Sequence, residues 1–301
     1  MKTIKIQMIR WLLRLLSLLS LPAAQKLGAV AGRIAWRFAG RARQVTRVNI
    51  DACFPELTPG ERERLARDSL IETAKTALEI PLMWEWPVER CLDTLVEIDG
   101  QALLDEAVTA NRGILLLAPH LGNWELAGLY FSSRYKMAAL YSPPNVKELE
   151  SYMSEVRERG GSELVRADRR GLLRLVSILR EGGVAGILPD QSPKPAGGVF
   201  APFFGMEILT MKLASKLISK TGCRVLVTYA ERLPDGRGFR LVIQSPDTRL
   251  FDTDPILSAT GLNASVEQCV RAIPAQYQWE YKRFRRRPPG LPNIYKPDRQ
   301  A

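Results

Sequence analysis

The sequence predicts an α/β protein with a mixed central sheet flanked by helices, behind a basic, apolar, helical N-terminal segment. Three observations predict it. Short apolar runs alternate with helix-patterned stretches from about residue 60 onward. A Pro-Asp-Gly turn at 234–236 joins two runs rich in β-formers, the signature of an antiparallel hairpin. The first 50 residues carry ten Lys/Arg and no acid, interleaved with leucine-rich runs.

Taken in order, Trp11 to Ala24 is a fourteen-residue leucine-rich run interrupted by Arg14. It is too short for an untilted bilayer span, which needs roughly 20 residues. With its basic flanks Lys2, Lys5 and Arg10 it resembles a signal peptide, an interfacial helix or a marginal single-pass anchor. Arg14 splits the apolar core and disfavours a cleavable signal. From Leu27, apolar residues including Trp36 and Phe38 alternate with Arg33, Arg37, Arg41 and Arg43. That pattern fits a basic amphipathic helix on anionic lipid, or a core helix with solvated arginines. Residues 1–45 are thus expected to be a membrane-associating helical segment, and 46–301 a single catalytic domain without repeats or flexible linkers.

Within the domain, helices are predicted at Glu61–Glu79, Gln101–Val108, Val146–Arg159, Gly171–Arg180, Leu209–Lys220 and Leu257–Ile273. Thr58 is placed to cap the first of these, with Pro59 at the first helical position. Strands are predicted at Ile114–Ala118, Met137–Tyr141, Val184–Leu188, Arg224–Ala230 and Phe239–Ile243. Alternating β and α elements ending in a hairpin require a mixed sheet.

The formal charge of +11 favours anionic partners, and its distribution narrows them. Residues 1–50 carry +10, residues 271–301 carry +6, and the body between them carries −5. A nucleic-acid enzyme concentrates positive charge at its working cleft, so no nucleic-acid partner is expected. A single histidine excludes metal sites that need two imidazoles, and the four cysteines form no CxxC pair, so no metal centre or disulfide framework is expected. Each cysteine reads as a small buried hydrophobe.

The chemistry concentrates at Gly113-Ile-Leu-Leu-Leu-Ala-Pro119-His120-Leu-Gly-Asn-Trp-Glu125. The apolar run forms a buried strand, and Pro119 cannot extend its ladder, so His120 emerges just beyond the strand's end. Catalytic groups of α/β sheets collect at such carboxyl ends. Gly122 and Asn123 supply a turn, and Glu125 opens the next helix, where its carboxylate is expected beneath the imidazole as the orienter of a general base. His-x4-Glu alone is a weak signal, and a structural histidine is its bland alternative. No Gly-x-Ser-x-Gly elbow supplies a serine nucleophile, so a base at His120 would act on a hydroxyl of the substrate itself.

His120-Leu-Gly-Asn-Trp-Glu125 resembles the His-x4-Asp/Glu motif of the glycerolipid-type acyltransferases. Within that superfamily the chain is similar to the late acyltransferases of lipid A biosynthesis, the lauroyl/myristoyl transferases. The likeness runs through Asn49–Phe54, Met83–Pro87, Asp168-Arg169-Arg170, Leu188–Gln191, Gly198–Gly205, Glu231–Gly238 and Gln278–Phe284. It implies transfer of a fatty acyl chain from acyl carrier protein to a hydroxyl of a lipid A precursor, at the cytoplasmic face of the inner membrane. His120 and Glu125 would be catalytic, and no cofactor is called for. Arg169, matching the second motif, would clamp an acceptor phosphate or stabilise the oxyanion; a solvated helix-start arginine is the plain alternative. Backbone amides of the Gly122-Asn123 turn are the other oxyanion donors. Asp190 and Gln191 would line the same cleft or cap the following loop. Phe203 and Phe204 would pack on a lipid chain or on one another. Many relatives carry Trp-x-His-x-Arg-Phe near the C-terminus; here Tyr281 stands at the histidine, which puts the acceptor in question. Another membrane lipid as acceptor (a lysophospholipid, ornithine lipid or polyene glycolipid), or a non-catalytic membrane- or carrier-binding role, therefore stays open.

Overall fold

The computed structural model describes residues 2–143 and 150–296, with side chains from Ile6 onward. Residues 146–149 of the predicted 146–159 helix lie outside the described residues, as do the side chains of Lys2 and Lys5. The chain forms two compact units: Met1–Leu27 with Lys75–Leu188 and Leu217–Ser245, and Gly28–Ala74 with Pro189–Lys216 and Pro246–Ala301.

The first unit holds a seven-stranded sheet in the order β1-β9-β8-β2-β5-β3-β4, where β1 is Leu95–Asp99, β2 Ile114–Leu117, β3 Met137–Tyr141, β4 Ser162–Arg166, β5 Val184–Ile187, β8 Arg224–Arg232 and β9 Phe239–Gln244. The five predicted strands are all present. β2 pairs in parallel with β5 and β8, and β3 in parallel with β5 and β4. β8 and β9 form the predicted antiparallel hairpin, which makes the sheet mixed. β1 and β4 are additions to the predicted set. They are the sheet's edges, β1 mostly exposed and β4 partly so, and their sequences lack the apolar run that marks a strand covered on both faces. β2 is the opposite case: all four residues are buried, with Ile114 and Leu116 in one core that also holds Leu104, Leu126, Phe131 and Leu241.

Helices of this unit are α1 (Lys2–Leu16), α5 (Val88–Leu92), α6 (Gln101–Thr109), α7 (Trp124–Ser132), α8 (Glu150–Glu158) and α9 (Arg169–Arg180). α4 (Pro59–Glu85) begins as predicted. The Thr58 N–H donates to Glu61 Oε2 at 2.8 Å while the Glu61 N–H donates to Thr58 Oγ1 at 3.3 Å, a reciprocal capping box.

α1 presents an exposed apolar stripe. Arg10 points inward, paired with Glu155 at 2.6 Å and 4.6 Å from the centre of the Tyr152 ring. Arg14 reaches Glu85 at 3.5 Å. Met8, Trp11, Leu12 and Leu15, spaced i, i+3, i+4, i+7, face outward, with Trp11 70% exposed. Between Ile6–Leu16 and α2 (Leu21–Phe38) the chain bends by 116°, and among the described residues no single helix is long and apolar enough to cross a membrane.

The second unit contains α3 (Gly40–Cys53), the antiparallel pair β6 (Gly198–Phe203) and β7 (Met206–Met211), and α11 (Pro255–Ala272). β7 corrects the predicted 209–220 helix, which starts only at Leu213 as α10 (Leu213–Thr221). Pairing of Ile208 with Ala201 across the hairpin outweighs the local helical pattern. Phe203 and Phe204 pack edge-on to each other and join Phe54, Trp279 and Phe284 in an aromatic core, which assigns them to internal packing. All four cysteines are buried thiols outside any disulfide, as predicted, and burial pushes the Cys269 thiol up to about 12.

Candidate active site

The predicted catalytic residues lie on the loop between β2 and α7 and in the first turn of α7. The ladder continues one residue past β2, with Ala118 N–H donating to Ile187 O at 3.0 Å. Pro119 then ends it, and His120 follows, half-buried at the carboxyl edge of the parallel strands. The next two residues bring the chain against β8. Gly122 forms a bridge to Ala230, and the Asn123 N–H donates to the Ala230 carbonyl at 2.8 Å. Gly122 adopts φ +60°, and a Cβ there would stand 2.1 Å from the Ala230 oxygen, so only glycine fits.

Asn123 is fully buried and is the N-cap of α7, its Oδ1 accepting from Leu126 N–H at 3.0 Å. Its Nδ2 donates to Glu79 Oε2 at 3.1 Å. Both ends of the amide and its backbone N–H are therefore used inside the protein. The Asn123 N–H, expected among the oxyanion donors, is engaged with the Ala230 carbonyl.

His120 and Trp124 meet edge-on, their ring centres 5.2 Å apart. Glu125, in the first turn of α7, is held by two groups that the sequence does not reveal. Its Oε2 accepts from Trp84 Nε1 at 3.1 Å and from Arg157 Nε at 3.0 Å, and its Oε1 accepts from Arg157 Nη2. Burial by itself would push the Glu125 carboxyl up. The Arg157 charge and hydrogen bonds outweigh burial and hold the group below the usual carboxylate range. The carboxylate is thus a fixed anion, gripped by a forked guanidinium. Neither partner has a local signal: Trp84 lies 41 residues before Glu125 and Arg157 lies 32 after it.

Arg169 opens α9 after β4, its side chain exposed, with Asp168 capping the helix through Oδ1 to the N–H groups of Arg170 and Gly171. β2 and β4 are separated by β5 and β3. That puts about 14 Å of sheet between the two loops, on the same carboxyl edge.

Asp190 and Gln191 belong to the second unit. Asp190 is buried and hydrogen-bonded to the Tyr277 hydroxyl, beside Arg283; burial and the Asp190 charge push Tyr277 well above its ordinary value. Gln191 is exposed. The adjoining Ser192 N–H donates to the hydroxyl of Tyr281 at 3.1 Å, so the residue standing at the relatives' histidine braces this loop. Arg283, within the basic stretch 271–301, is buried and donates to Leu209 O at 2.8 Å.

A family profile described as bacterial lipid A biosynthesis acyltransferase matches residues 3–286. The chain is 27% identical over 275 residues to the lipid A biosynthesis lauroyltransferase of Escherichia coli (strain K12), covering 91% of this chain and 89% of that protein. It is 28% identical to the palmitoleoyltransferase of the same organism, with 89% and 87% covered, and 29% identical to the myristoyltransferase, with 88% and 82% covered.

Proposed function

Because the chain belongs to the bacterial lipid A biosynthesis acyltransferase family, we propose that it transfers a fatty acyl chain from acyl carrier protein to a hydroxyl of a lipid A precursor. The observation that carries the reading is the position of His120, set just past the carboxyl end of β2 and followed within one turn by an anionic, clamped Glu125. His120 removes the proton of the acceptor hydroxyl as that oxygen attacks the thioester carbonyl. The tetrahedral oxyanion collapses and expels the carrier's phosphopantetheine thiolate, which takes the proton back from the imidazolium. Glu125 stabilises that imidazolium; Arg157 keeps the carboxylate ionised. With Asn123 N–H committed elsewhere, the Gly122 N–H is the donor assigned to the oxyanion. Arg169, about 14 Å along the same carboxyl edge, suits an acceptor phosphate.

Residues 1–45 act in this reading as the membrane-associating segment of an acyltransferase domain at 46–301, on the cytoplasmic face of the inner membrane. α1 supports this: with Met8, Trp11, Leu12 and Leu15 exposed, it carries an apolar stripe on the side away from the protein. The +10 charge of the first 50 residues suits anionic lipid and an acidic carrier.

The test is acyl transfer from lauroyl-, myristoyl- and palmitoleoyl-carrier thioesters to lipid A precursors and lysophospholipids. His120→Ala is expected to fold, bind membranes and lose activity by roughly 10²–10⁴-fold. Unchanged turnover would refute the general base. Transfer to a lysophospholipid with none to any lipid A precursor would refute the acceptor.

A further inference from the structure

Beneath the His120 turn lies an ion pair removed from solvent. Glu79 of α4 has a fully buried side chain, and that of Arg232, at the end of β8, is 2% exposed. Arg232 donates from Nε to Glu79 Oε1 and from Nη2 to Oε2, both at 2.5 Å. Gln25 Nε2 donates to Oε1 at 2.8 Å, and Asn123 Nδ2 donates to Oε2 at 3.1 Å. A carboxylate has about four acceptor positions, and all are filled here. Arg232 Nη2 also reaches Thr76 Oγ1 at 2.7 Å, and that hydroxyl faces the Gly122 carbonyl at 3.5 Å.

Such a pair is weak evidence for stability, because desolvating two charges offsets most of their attraction and well-packed apolar residues often do as well. Its distinctive consequence is directional. Glu79 accepts only, so it dictates which end of the Asn123 amide faces it. The other end must then be Oδ1, which caps α7 at Leu126. A reversed amide would set oxygen against carboxylate and NH₂ against N–H. Arg232 completes the hold from the strand whose Ala230 carbonyl bridges the turn.

We propose that Glu79 and Arg232 are positioning residues for acyl transfer: the buried pair sets the Asn123 amide, and through it the turn carrying His120 and the helix start carrying Glu125. The proposal rests on the general-base reading above. Loss of the pair lets the turn relax while the substrate-binding surfaces stay in place, so turnover falls and KM does not. A misplacement of about 1 Å costs on the order of 10²-fold in rate.

The test compares kcat and KM with lauroyl-carrier thioester and lipid A precursor in detergent for wild type, His120→Ala, and Glu79→Met with Arg232→Met together, the last chosen to keep the site filled and uncharged. The double variant is expected to keep its folded fraction and lose about 10²-fold in kcat, with KM within about threefold. A swap separates orientation from bulk stability. Asn123→Asp alone faces Glu79 with a like charge, and Glu79→Gln alone loses an acceptor. With the two substitutions combined, the introduced amide donates to the introduced carboxylate, which still caps α7, and kcat recovers at least about tenfold over either single variant. An inactive His120→Ala beside a fully active double-Met variant would overturn this proposal alone. So would a loss confined to KM, a loss that only follows the folded fraction, or a swap that recovers nothing. An active His120→Ala overturns the parent reading instead.

Discussion

Arg157→Met tests the clamp on Glu125. The Glu125 side chain is 8% exposed and that of Arg157 28%, with the guanidinium forked across both carboxylate oxygens. Removing one partner of a buried pair costs roughly 3–5 kcal/mol, and the partial exposure of Arg157 places this case at about 3 kcal/mol. The pH dependence has a definite sign. Glu125 is held below the usual carboxylate range, so its contribution is complete above about pH 4.3 and is lost as the pH falls through its depressed value. In the variant, burial is opposed only by the Trp84 and Trp124 hydrogen bonds, and the carboxyl rises. The stability gap between wild type and Arg157→Met is therefore widest near neutrality and closes as the pH falls. Arg157→Lys retains charge but not the fork, and is expected between the two. Urea unfolding in detergent, followed by tryptophan fluorescence from pH 7 down to about pH 3, measures the gap. Equal midpoints at pH 7, or a gap that widens toward acid, would refute the reasoning. Activity should fall with the clamp, on the order of 10²-fold if Glu125 shifts by about 1 Å.

Two further outcomes follow from the same geometry. Gly122→Ala combines a left-handed backbone with a Cβ 2.1 Å from the Ala230 oxygen, so it should destabilise the first unit by at least about 2 kcal/mol and abolish transfer; a stable, active variant, scored by thermal unfolding and turnover, contradicts the close approach. Leu12→Asp with Leu15→Asp alters exposed positions and should leave folding intact. It should weaken partition into anionic vesicles by on the order of 100-fold, about 3 kcal/mol, and undiminished co-sedimentation would remove α1 from the membrane contact.

Much of the fold is legible in the sequence because its strongest signals are local. Continuous apolar runs mark strands buried on both faces, as in Ile114–Leu117, and Thr58-Pro59-Gly60-Glu61 marks a helix start by its own hydrogen bonds. The elements that escape notice take their identity from distant partners. β1 exists because it pairs with β9, and β7 because Ile208 meets Ala201. The same division runs through the site. His120, the glycine turn and Glu125 lie within six consecutive residues, whereas Tyr281, conspicuous as a departure from the relatives, discloses its role only through Ser192.

The proposed base and its place are written in the chain locally: an apolar strand, a proline that must end the ladder, and a histidine directly after it. So is the polarity of the chain, with charge gathered at basic ends around a mildly acidic body. Which charges are held, and which way faces turn, emerges only from the folded arrangement. Arg157 grips Glu125, Arg232 grips Glu79 from 153 residues away, and Arg10 turns inward so that Trp11 and Leu12 face out. The physical reason is that a charge can be buried only where the fold delivers an opposite charge in hydrogen-bonding geometry. No local pattern encodes that meeting.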